Sequence, residues 1–178
     1  MRHTIRTGLV AAAMVVAAAT SPKMQTNKIV LTAQLEGGQE VPGIASGSVG
    51  NAVVTIDRAA GTISYEVNIY NLPTGIVASH IHAGSPGVAG PVILNFTVPA
   101  VGQSNDFKIS GSLTAGDVVA RPAQGIGSFE DAIVAIASGG TYVNVHTQAN
   151  PGGEIRGQLC PDAKTGNPIN GVVLCTAK

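Results

Sequence analysis

The sequence predicts an all-β domain, an antiparallel Greek-key sandwich or barrel with one short inserted helix. Three observations carry this expectation. Short segments alternate apolar and polar residues and recur about every ten residues. Turn formers punctuate them, with 23 glycines and 10 prolines among 178 residues. Only one segment combines helical spacing with start and stop signals at its ends.

Taken in order, a first strand is predicted over residues 28–35, ending in the Glu36-Gly37-Gly38-Gln39-Glu40-Val41-Pro42 loop. A second spans 48–57, and Arg58-Ala59-Ala60-Gly61 turns it into a third over 62–70. There Ile63, Tyr65, Val67 and Ile69 alternate with Ser64, Glu66, Asn68 and Tyr70, which is the pattern of a half-buried antiparallel hairpin. Strands at 76–82, 92–98 and 107–113 follow, the first two separated by a glycine-rich loop at 83–90. Thr114 is placed to cap a short helical turn within 112–119. The helix is predicted over 128–138: Ser128 caps it, Glu130 and Asp131 complement the dipole in its first turn, and Gly139-Gly140 ends it. Phe129, Ile133, Val134 and Ile136 are its expected apolar side. The last hairpin pairs strands at 142–146 and 154–159 across the Asn150-Pro151-Gly152-Gly153 turn.

Composition bounds the function. The chain has room for one domain and short appendages. Aromatics make up 3% with no Trp, too few for a base-stacking surface. Ten basic residues balance ten acidic ones, so no footprint for nucleic acid or anionic lipid is visible. Arg2 and Arg6 precede an apolar run at 9–19 that is too short to span a bilayer, and Ala17-Ala18-Ala19 offers a small-residue cleavage site. Residues 1–19 therefore read as a signal peptide and 20–27 as a polar lead. Removing the signal leaves eight basic against ten acidic groups, with no segment left to insert into a membrane. The expected location is secreted, periplasmic or cell-surface. In such an oxidising compartment Cys160 and Cys175 could pair and staple the irregular tail at 160–178, in which residues 172–174 could add an edge strand. Two free thiols are the alternative.

The last hairpin organises the rest. Val143, Val145, Ile155 and Leu159 make one face apolar, and the other gathers Asn144, His146, Glu154 and Arg156. Its segments Tyr142-Val143-Asn144-Val145-His146-Thr147 and Pro151-Gly152-Gly153-Glu154-Ile155-Arg156-Gly157-Gln158-Leu159, together with Ser79-His80-Ile81-His82-Ala83-Gly84 and Gly87-Val88-Ala89-Gly90-Pro91-Val92, resemble both signatures of the CHRD (chordin-type) domain family. The likeness covers about residues 28–159 and is most similar to secreted bacterial single-domain members. It implies an extracellular interaction role and no agreed biochemical activity.

Three of four histidines fall inside these signatures. His80 and His82 are two apart on a predicted strand and so share a face, and His146 ends another strand on its polar side. Together they could form an open copper or zinc site, with Glu154 or Asn144 orienting a ring. The His-x-His pair before a glycine-rich loop is also similar to the copper ligands of copper–zinc superoxide dismutases, which share Greek-key β architecture. No bridging histidine, zinc-ligand cluster or matching catalytic arginine accompanies it. The competing reading is a hydrogen-bond network of Asn144, Glu154, Arg156 and the histidines that pins loops to the sheet. The lack of a thiolate or carboxylate ligand in the pattern favours that network.

Other chemistry is poorly supported. No nucleophile elbow or assignable carboxylate pair occurs, and the 84–90 loop leads into a strand without a following Lys, unlike a phosphate cradle. No catalytic residue is assigned. The leading expectation is a non-catalytic exported binding or structural module whose partner is an extracellular protein or envelope component. Metal binding at His80, His82 and His146, with dismutase-like redox activity as its furthest extension, is the alternative.

Overall fold

The computed structural model describes residues 28–99 and 103–161. The expected signal peptide, polar lead, Cys175 and the edge strand at 172–174 lie outside them. The elements are β1 (Lys28–Glu36), β2 (Val49–Asp57), β3 (Thr62–Leu72), β4 (Ile76–Ala83), β5 (Val92–Asn95), β6 (Asn105–Leu113), α1 (Phe129–Ala137), β7 (Thr141–Thr147), β8 (Ile155–Gln158) and β9 (Cys160–Pro161). All strands join one antiparallel sheet in the order β5-β4-β7-β8-β1-β2-β3-β6, with β9 pairing β1. The fold is all-β, as the turn spacing predicts.

The sheet curls almost into a barrel. Beyond β5, at one end of the strand order, Phe96 stacks on Tyr65 of β3 with ring centroids 3.9 Å apart. Thr97 N–H donates to the Tyr65 hydroxyl at 2.9 Å. These contacts bring the β5 end of the sheet back against β3, next to the opposite edge strand β6. They also explain why β5 stops at Asn95 rather than at 98: Phe96 N–H still reaches Ser79 O at 2.9 Å, but the next donor turns to Tyr65.

Alternation fixes most of the core. Ile29, Leu31, Ala33 and Leu35 of β1, Ala52, Val54 and Ile56 of β2, and Ile63, Tyr65, Val67 and Ile69 of β3 are all buried. The helix follows its caps closely, since Ser128 Oγ accepts from Asp131 N–H at 3.2 Å. Its buried side is Ala132, Ile133, Ile136 and Ala137, whereas Val134 is 54% exposed, contrary to the predicted apolar face. At 3.6 residues per turn, the stripe through 133, 136 and 137 leaves Val134 off the contact. Ser128→Ala should cost about 1 kcal/mol, read as a lower urea midpoint with unchanged slope.

Strand β7 departs from simple alternation: all seven of its residues are buried. It lies between β4 and β8, and loops cover the polar face that the sequence marks as open.

Candidate metal centre

Directly opposed residues on neighbouring strands point to one face. The register pairs Ala78 with His146, His80 with Asn144 and His82 with Tyr142 between β4 and β7. On the other side, Asn144 pairs with Arg156 and Tyr142 with Gln158 between β7 and β8. One sheet face therefore collects three imidazoles, a phenol, two amides and a guanidinium.

The glycine-rich loop closes over this face. Arg156 donates to the carbonyls of Ser85 and Val88 at 3.1 and 3.0 Å, and Gln158 Nε2 donates to those of Gly84 and Gly139 at 3.0 and 2.8 Å. Gly90 N–H reaches the Tyr142 hydroxyl at 3.1 Å. The Tyr142 ring meets the Arg156 guanidinium carbon 3.4 Å from its centroid and stacks with His82 at 4.9 Å.

These contacts set the histidine tautomers. His82 Nδ1 lies 2.8 Å from Gly90 O and His146 Nδ1 lies 3.0 Å from Pro151 O. A carbonyl only accepts, so each Nδ1 carries the proton and each Nε2 presents a lone pair. His82 Nε2 is buried without a hydrogen-bond partner. His146 Nε2 faces His80 Nδ1 at 3.1 Å. His80 is the adaptable ring: it donates from Nδ1 to His146 as the rings stand, and a proton on Nε2 instead would free Nδ1. One ligand atom from each ring falls within 4.8 Å of the others. Two nitrogens on one ion, each bonded at about 2.0–2.1 Å, sit roughly 3.3 Å apart at the tetrahedral angle, close to the His80–His146 spacing.

Burial, then the neighbouring His146 and His82, push the His80 pKa down to about 4. Burial also lowers His82 and His146, against the opposing effect of their carbonyl contacts. All three are neutral at pH 7, the form that binds a metal. The donor set, its tautomers and the partnerless Nε2 all fit copper or zinc.

Glu154 and Arg156, neighbours in the expected network, do not pair with each other. Glu154 is 1% exposed and sits in a separate cradle. Thr147 Oγ1 and Asn150 Nδ2 donate to its Oε2 at 2.9 and 2.6 Å, and the Ser46 and Ser48 hydroxyls donate to Oε1. Burial would raise this carboxyl, but the hydrogen bonds outweigh it and hold the pKa below the usual range. Arg156 instead feels Glu40, whose Oε2 accepts from Asn144 Nδ2 at 3.4 Å. Burial pushes Glu40 up to about 7, against Arg156 and Asn144, with Glu154 adding to the rise. Its Oε1 and the neighbouring Asn144 Oδ1 are buried without partners.

The Glu40 pKa stands above its unfolded value of 4.5, so its contribution is complete below pH 4.5 and is lost as pH rises through about 7. Glu40→Gln should therefore gain on the parent protein between pH 5 and pH 8, by up to about 3 kcal/mol. Urea midpoints at both pH values check this, and an equal difference at both would refute it.

The CHRD domain family matches residues 31–159. The chain belongs to this family. No curated protein and no solved structure matches it. The two signature segments of this CHRD domain supply every ring of the histidine cluster and the arginine beside it. Sequence reasoning missed Glu40 and Tyr142 as site residues. Tyr142 carried a signal in its position, since it shares a face with Asn144 and His146 on an alternating strand. Glu40 lies in a loop 104 residues before Asn144, and nothing local announces that contact.

Proposed function

We propose that this CHRD domain is an exported, non-catalytic binding module whose binding centre is a three-histidine site for copper or zinc. The observation that carries the reading is the buried, partnerless Nε2 of His82, beside a His146 Nε2 whose ring is likewise locked by a backbone carbonyl. A buried nitrogen lone pair beside two other imidazoles is costly unless something binds it.

Export rests on the basic and apolar pattern of residues 1–19, and on the secreted character that family membership suggests. Pairing of Cys160 with Cys175 belongs to the same reading. The partner is an extracellular protein or an envelope component, met by the outer surface rather than by the covered histidine face.

The test is calorimetric titration with copper(II) and zinc(II), beside His80→Ala/His82→Ala. One equivalent bound at about 1 μM or tighter, and lost in the double variant, is expected. Heats no larger than the variant's would retire the metal and leave the histidines as loop anchors.

A further inference from the structure

We infer that the three-histidine centre holds copper(I) in preference to zinc(II); this rests on the metal reading above. Charge is the first argument. Among the described residues, no carboxylate or thiolate joins the cluster, which consists of His80, His82 and His146 alone. Neither nearby carboxylate belongs to it. Glu154 accepts from Ser46, Ser48, Thr147 and Asn150, and Glu40 from Asn144.

Two guanidiniums flank the site instead. Arg156 lies over Tyr142, which in turn stacks on His82. Arg121 Nε donates at 2.8 Å to the carbonyl of Val92, the register partner of His82 on β5. An ion here gains no anionic ligand and meets two positive neighbours near His82. The cost of burying an ion grows with the square of its charge, so a monovalent ion incurs about a quarter of the divalent penalty.

Coordination number is the second argument. Structural zinc takes four ligands, and catalytic zinc completes its shell with water. Copper(I) is content with three, and three neutral imidazoles are what this face offers. His82 Nε2 is buried and His146 is 8% exposed, which leaves only the half-buried His80 side open to a fourth ligand.

The experiment loads the purified protein anaerobically with copper(I), using ascorbate as reductant and a chromogenic copper(I) chelator as competitor. Zinc(II) is then added in excess. The expected result is one copper(I) taken from the chelator, not displaced by about a hundredfold excess of zinc, and lost in His146→Ala. Arg121→Glu, which places a negative charge beside β5, should shift the ratio of the two affinities toward zinc by about tenfold. Displacement by equimolar zinc would overturn the preference but leave the metal centre standing. Failure of both metals to bind would overturn both. An unchanged ratio in Arg121→Glu would remove the charge argument and the preference built on it.

Discussion

Glu154→Ala is expected to lower the folding free energy by about 3 kcal/mol, seen as a fall in the urea midpoint at unchanged slope. The carboxylate is the common acceptor for Ser46, Ser48, Thr147 and Asn150, so alanine strands several donors in a space that is 1% exposed. Glutamine should not rescue it, because its amide sets N–H groups against donors. The pH dependence provides a second check. The folded pKa lies below the ordinary value of 4.5, so the stabilisation is present above that value and is lost as pH falls through the folded one. The gap between Glu154→Ala and the parent should thus be smaller at strongly acid pH and widen toward neutrality. A difference independent of pH would contradict the charged cradle.

The second large effect is expected at the loop. A Cβ at Gly90 would land on the backbone carbonyl of Ala83, which no rotamer change relieves. Ala83 N–H also donates to Pro91 O at 2.9 Å, so the two arms of the loop meet at this point. Gly90→Ala should push them apart and withdraw the Gly90 carbonyl from His82 Nδ1. Losing an outer contact of this kind typically weakens metal binding by about 10- to 100-fold. The expectation is a drop of that size in copper or zinc affinity with the far-ultraviolet circular dichroism of the sheet retained. Gly47→Ala, where the added atom meets nothing within 4 Å, is the control. Equal affinities in the two variants would show that the loop does not hold the histidine.

Much of this architecture is legible before any coordinates are seen. The β2–β3 hairpin follows from its alternation, and α1 from Ser128 and its two acidic neighbours, because both depend on residues close in sequence. His80, His82 and His146 stand out because they fall within the signatures. What is not legible is depth. The polar faces of β4, β7 and β8 resemble solvent-facing strands, and the 84–91 loop, with the segments that carry Glu40 and Pro151, covers them. The Arg156 partners could not be read either: the guanidinium is met by loop carbonyls and an aromatic ring. Val134 failed for a related reason, since hydrophobicity alone does not select which side of a short helix meets the sheet.

The separation of the ligands along the chain has a consequence for assembly. His80 and His146 are 66 residues apart, on strands made adjacent only by the crossing connections of the sheet. Near the site an unfolded chain offers only the His80/His82 pair, so an ion bound at the proposed centre would not template the fold and would be acquired after β4 and β7 have met. Such binding would favour the folded state and add stability by mass action, at most about 4 kcal/mol at a thousandfold excess over the dissociation constant, less whatever the unfolded pair retains. The metal would be taken up where folding is completed, and the resistance of the domain to unfolding would track the copper available there.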